Sequence, residues 1–213
     1  MPDLDDIRAQ IARCRLCDLS KARNHTVPGE GNPNAKIMLI GEAPGFYEDQ
    51  QGKPFIGPAG KFLDELLGHA GVSRRDVFIT NVVKCRPPGN RDPEVEELEA
   101  CDGYLKAQIA AIDPQIIVTL GRFSLAKFIP GVKSMRDVHG RATSYEGRTV
   151  VAMYHPAAAL HQGSLRKVLE EDFRTLPMML ARLDTQAAAP VAPEPALEAP
   201  TPPSAEQIPL FAL

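Results

Sequence analysis

The sequence predicts an α/β protein, a three-layer α/β/α sandwich around a mostly parallel, four-stranded sheet. Two observations carry this. Four short runs, Lys36–Gly41, Val77–Asn81, Gln115–Leu120 and Thr149–Tyr154, are continuously apolar and β-branched, the pattern of strands buried on both faces. Helical patterns fill the stretches between them, and strands alternating with helices build a parallel sheet covered on both sides.

Each element has its own local reason. A short N-terminal helix is expected to end at the Cys14-x-x-Cys17 pair. After the first strand, Gly41-Glu42-Ala43-Pro44-Gly45 reads as a tight βα turn that brings backbone N–H groups close to a ligand. Pro58–Ala70 has helical periodicity and stops at Gly71, a residue suited to a left-handed helix end. Asp92-Pro93 supplies an N-cap and a first-turn proline for a helix running to about Ile112. Arg122–Ile129 and Ser164–Leu183 read as two further helices. In such sheets ligands bind beyond the carboxyl ends of the strands.

The chain of 213 residues divides into a domain, 1–184, and a tail, 185–213, rich in Ala, Pro and Glu. So few large apolar side chains cannot offset the entropy of ordering, and the tail is expected to be disordered. The net charge of −3 sits in Glu194, Glu198 and Glu206, leaving residues 1–184 neutral. A neutral body argues against a broad, charge-driven grip on nucleic acid but permits a local basic face. No apolar run is long enough to span a membrane. Met1–Asp6 is acidic rather than a signal segment, so a cytoplasmic monomer, working with the nucleoid, is expected.

Four cysteines in such a compartment point to metal or catalysis more than to disulfides. Cys14 and Cys17 form one close pair; Cys85 follows the second strand, and Cys101 lies in the next helix after 15 intervening residues. Four thiolates suit zinc or an iron–sulfur cluster. Zinc sites more often use two short pairs, so the scattered ligands lean toward the larger cluster and leave zinc open. The plainer alternative keeps Cys85 and Cys101 as buried apolar residues.

Two side chains at strand ends can recognise a base. Asn81 offers one acceptor and two donors, matching the O4 and N3–H edge of a pyrimidine, although an Asn capping a strand end looks the same. His155, held by Pro156, can donate to an oxygen that gains charge in a transition state, although a lone His is more often an ordinary surface residue.

Together, GEAPG, the downstream GKPFIGPAGKFL, Asn81, CRPPGNRDP, HPAAAL and the order of the four cysteines resemble family 4 uracil-DNA glycosylases over roughly Cys14 to Leu183. The resemblance implies a repair enzyme that hydrolyses the N-glycosidic bond of deoxyuridine in DNA, releasing uracil and leaving an abasic site. It implies that Cys14, Cys17, Cys85 and Cys101 hold a [4Fe–4S] cluster. Phe55 would stack on the flipped uracil, Asn81 would read its edge, and His155 would donate to O2. The Gly41–Ala43 turn would contribute backbone donors, Glu42 and Glu48 would lie in the loop facing the sugar, and Leu160 would wedge into the duplex. Family 1 relatives carry a water-activating Asp where this chain has Ala43, which leaves that role between Glu42 and Glu48. A competing reading, a non-catalytic iron–sulfur DNA-binding or assembly module of the same fold, does not explain why Glu42, Phe55, Asn81 and His155 occur together.

The tail ends in Gln207-Ile208-Pro209-Leu210-Phe211, similar to the peptide that binds the bacterial sliding clamp, with Gln207, Leu210 and Phe211 as anchors. Folding of Leu210 and Phe211 back onto the body is the alternative.

Overall fold

The computed structural model describes residues 3–188. In chain order its elements are α1 (Leu4–Arg13), α2 (Leu19–Ala22), β1 (Glu30–Gly31), β2 (Ile37–Gly41), α3 (Phe46–Gln51), α4 (Pro58–His69), β3 (Phe78–Asn81), α5 (Val95–Ile112), β4 (Ile116–Leu120), α6 (Arg122–Phe128), β5 (Ala142–Tyr145), β6 (Arg148–Met153), α7 (Pro156–His161), α8 (Ser164–Arg174) and α9 (Leu176–Ala188). The sheet order is β1-β3-β2-β4-β6-β5.

The four strands read from the sequence form the parallel centre, β3-β2-β4-β6. Among the described residues the sheet nevertheless has six strands, because β1 and β5 pair antiparallel at its two edges. Neither edge could announce itself. β1 is two exposed residues, and β5 (ATSY) is mostly exposed and carries no apolar run.

Alternation along the central strands separates two cores, as the pleat requires. Ile37 and Leu39 of β2 face Phe62, Leu63, Leu66 and Leu67 of α4 with Leu169 and Phe173 of α8. Met38 and Ile40 face Leu105 and Ile112 of α5 and Phe128 of α6. These are the outer layers of an α/β/α sandwich.

The helix boundaries depart from expectation where local chemistry decides. α5 begins at Val95, and its cap is Glu94 rather than Asp92: Glu94 and Glu97 form a reciprocal capping box. The single helix expected over 164–183 is two, divided at Thr175. Pro177 has no N–H and its ring would clash with the carbonyl of Phe173, so α8 closes on Thr175 and α9 starts afresh. Two short helices, α3 and α7, stand where only loops were read; each has too few residues for a visible period.

Candidate active site

Parallel register places the functional strand ends side by side. Gly41 of β2 is the direct partner of Asn81 of β3, and Leu120 of β4 pairs with Met153 of β6, two residues before His155. β3 flanks β2 on one side and β4 flanks it on the other, so the chain reverses direction across the sheet at β2. Over these ends lies a cavity of about 460 Å³ lined by, among others, Glu42, Ala43, Glu48, Phe55, Asn81 and His155.

Asn81 is 1% exposed, and its Oδ1 has no hydrogen-bond partner among the described residues. An unpaired buried acceptor is costly to maintain, and its position in the cavity wall makes it available to a ligand N–H. Gly41 lies beneath it. A Cβ there would stand 2.4 Å from Asn81 Oδ1 and 2.6 Å from the Phe55 ring, so only glycine lets all three share the floor.

Phe55 is buried and its backbone is left-handed, with φ of 50°. For a bulky side chain this conformation costs on the order of 1–3 kcal/mol and persists only where surrounding structure enforces it. Gly60 is part of that enforcement, since a Cβ on it would fall 1.8 Å from the Phe55 carbonyl oxygen. The Phe55 ring lies near-parallel to the His155 ring, with centroids 5.6 Å apart and an interplanar angle of 27°.

His155 is the N-cap of α7. Its Nδ1 accepts a hydrogen bond from Ala157 N–H at 3.1 Å, so the ring proton belongs on Nε2. Burial in the cavity wall pushes its pKa down to about 4, although Glu48 opposes the shift. The imidazole is therefore a neutral donor whose Nε2–H makes no hydrogen bond among the described residues.

The two carboxylates differ. Glu48, in α3 rather than a loop, accepts through Oε1 from Ile56 N–H at 2.9 Å and Gly57 N–H at 2.8 Å. It fastens α3 to the strand of chain that carries Phe55. Glu42 makes no such bond among the described residues; burial raises its pKa, nearby Asp92 adds to the rise and Arg122 opposes it. The sequence reading missed the rim, where Asp92 pairs with Arg122 and Arg91 joins them in the lining. The NRDP segment held that signal, but Asp92 was spent on a helix cap. Leu160 is 48% exposed on α7 and is not part of the cavity lining.

Cys14, Cys17, Cys85 and Cys101 all line one small second cavity, between the end of α1, the chain after β3 and α5. Arg23 Nη1 donates to Cys85 Sγ at 3.0 Å, and Lys84 N–H to Cys101 Sγ at 3.4 Å. Burial pushes the Cys101 thiol up to about 11 and raises Cys85 and Cys17 as well. Among the described residues no three His, Cys, Asp or Glu side chains are grouped as ligands of a metal ion. The donor set itself fits an iron–sulfur cluster: four sulfurs on one cavity, with a guanidinium and an amide N–H already aimed at two of them. No described helix is long and apolar enough to cross a membrane. Gln207, Leu210 and Phe211 lie outside the described residues.

Residues 28–176 match the family model of the Uracil DNA glycosylase superfamily. The chain is 51% identical over 183 residues to a type-4 uracil-DNA glycosylase of Saccharolobus solfataricus, covering 82% of this chain and 85% of the relative. It is 48% identical to one from Archaeoglobus fulgidus, covering 83% and 92%, and 42% identical to one from Thermotoga maritima, covering 79% and 90%.

Proposed function

The chain belongs to the uracil DNA glycosylase superfamily, among its type-4 members, and from that premise we propose how its cavity releases uracil from DNA. It is a uracil-DNA glycosylase acting in DNA repair; kinship with enzymes disfavours the non-catalytic module. The observation that carries the mechanism is the pairing of an unpartnered Asn81 Oδ1 with a neutral His155 across one cavity.

Breaking the glycosidic bond leaves positive charge on the sugar and negative charge on the departing base. Asn81 Oδ1 accepts from uracil N3–H, Nδ2 donates to O4, and Phe55 stacks on the ring. His155 Nε2–H donates to O2 as it becomes anionic, with backbone N–H groups of the Gly41–Ala43 turn assisting. Glu42 is the carboxylate assigned to water or to the sugar cation, since its oxygens accept no hydrogen bond among the described residues while Glu48 Oε1 is occupied by two N–H donors. Leu160, exposed beyond His155, fills the gap in the duplex.

Cys14, Cys17, Cys85 and Cys101 would hold a [4Fe–4S] cluster, which would supply structural cross-linking or electron transfer rather than Lewis acidity. The tail starts beyond α9 rather than at residue 185, since that helix runs to Ala188, and its Gln207, Leu210 and Phe211 dock on the sliding clamp of a cytoplasmic replication machinery, the enzyme itself being monomeric.

Incubation with a single-uracil oligonucleotide followed by alkali tests the reading. The expected result is cleavage at uracil, none at thymine, and a single-turnover rate lowered about a hundredfold or more in His155→Ala, the usual effect of losing one transition-state donor. A His155→Ala enzyme as fast as the parent would remove His155 from the mechanism.

A further inference from the structure

We infer that Arg74 is a positioning residue for base recognition, holding the left-handed Phe55 peptide in the pose from which its ring meets uracil. The inference rests on the stacking role of Phe55 proposed above. Arg74 lies outside the cavity lining, in the loop between α4 and β3. Its Nη1 donates to the Phe55 carbonyl at 3.1 Å and its Nη2 to the carbonyl of Pro54. The guanidinium thus spans two consecutive carbonyls, and Asp64 Oδ1 of α4 anchors Nη1 at 3.1 Å.

The loop that presents Arg74 is itself fixed. Ser73 N–H donates to Asp76 Oδ2 at 2.8 Å, Arg75 N–H to Ser73 Oγ at 3.2 Å and Asp76 N–H to Ser73 O at 3.0 Å. The Phe55 segment is therefore gripped from both ends. Arg74 holds the carbonyls of residues 54 and 55, while Glu48 holds the N–H groups of residues 56 and 57. Gly60 supplies the space beneath the Phe55 carbonyl. A left-handed Phe would relax toward ordinary backbone if either grip were lost, and the ring would turn away from its near-parallel pose on His155. A planar fork is needed because a lysine ammonium can serve one carbonyl well but not two carbonyls and a carboxylate in one plane.

A mutant cycle on the single-turnover excision rate at saturating enzyme tests this, because that rate constant does not change merely when some of the protein is unfolded. Arg74→Ala is expected to lower it roughly tenfold, the scale of losing charge-assisted hydrogen bonds, with Arg74→Lys in between. Phe55→Leu is expected to lower it at least as far. Adding Arg74→Ala to Phe55→Leu should then change the rate by no more than about twofold, the limit within which independent effects are resolved. If Arg74→Ala fails to fold, Asp64→Asn, which loosens the anchor of Arg74, is carried through the same cycle. A folded Arg74→Ala enzyme at the parent rate overturns the inference, and so does a full, independent loss in the Phe55→Leu background. An unchanged Phe55→Leu enzyme overturns the stacking role and this inference together. Loss in Phe55→Leu with Arg74→Ala intact sinks the inference alone.

Discussion

His155 has one ring nitrogen already committed. With Nδ1 accepting from Ala157 N–H, the neutral ring must carry its proton on Nε2, and protonating Nδ1 would break that cap. The low pKa, about 4, keeps the ring neutral at physiological pH. In the role proposed for it, Glu42 sets a second condition, because a carboxylate must be ionised to stabilise a cation or orient water, and burial raises its pKa from the ordinary value. Both groups therefore lose the required form as pH falls, Glu42 first and His155 near pH 4. The expected pH dependence of the single-turnover rate is a plateau at neutral pH that declines on the acid side at the Glu42 titration. In Glu42→Gln the plateau should be lower and this limb absent, leaving only a decline toward pH 4. An acid limb that survives unchanged in Glu42→Gln would assign it elsewhere. Asn81 and His155 were legible as candidates because they are local features, an amide and an imidazole directly after apolar runs, and the resemblance supplied their expected roles. Arg74 was not. The carbonyls it holds are 19 and 20 positions away, and nothing around it marks a site.

At the scale of elements, α3 turns the chain after the Gly41–Gly45 turn and lays Glu48 against the Phe55 segment. Asp49, its neighbour in α3, is 1% exposed and accepts from Asn24 N–H at 2.9 Å, so the helix is also tied to the chain before β1. Glu48 thus has the bonding of a brace. Gln keeps an oxygen that can accept from both N–H groups, whereas Ala leaves them without it. Glu48→Gln should retain excision within about tenfold of the parent, the scale of weakening a charge-assisted hydrogen bond to a neutral one, while Glu48→Ala should lose more. Equal and severe loss in both would return Glu48 to candidacy as the water-activating base. The central strands were readable because burial on both faces imposes uninterrupted apolar residues, and α4 because four large side chains recur on one face. Each Leu or Phe so buried contributes about 1.5–3 kcal/mol, which makes that pattern hard to vary. β1, β5 and α3 answer to backbone pairing or to single contacts, and those leave no periodic trace.

At the scale of the whole molecule, the four cysteines bring the end of α1, the chain after β3 and α5 together on one small cavity. α1 buries Ile7 and Ile11, and its main packing is against α5. Arg23 strengthens the closure, with Nη2 on the carbonyl of Cys14 at 2.7 Å and Nη1 on Cys85 Sγ. Spacing alone left zinc and a cluster both open, since what unites Cys14 with Cys101 is a fold, not a motif. The same region reaches the active site. α5 carries Cys101 and, at its start, Glu97, which takes Arg91 through both oxygens at 2.9 and 2.6 Å; Arg91 lies on the cavity rim. A cluster bound by the four thiolates would act as a cross-link over residues 14–101, comparable in effect to a disulfide closing a long loop. Replacing Cys101 with Ser should therefore remove iron and inorganic sulfide from the purified protein and lower its melting temperature on the order of 10 °C. Excision should weaken through displacement of the rim rather than loss of Asn81 or His155, so the acid limb assigned to Glu42 should persist. Full retention of iron would exclude Cys101 as a ligand. Loss of iron with an unchanged melting temperature would mean that α1 and α5 hold together by their apolar seam alone, and that the cluster serves something other than closure.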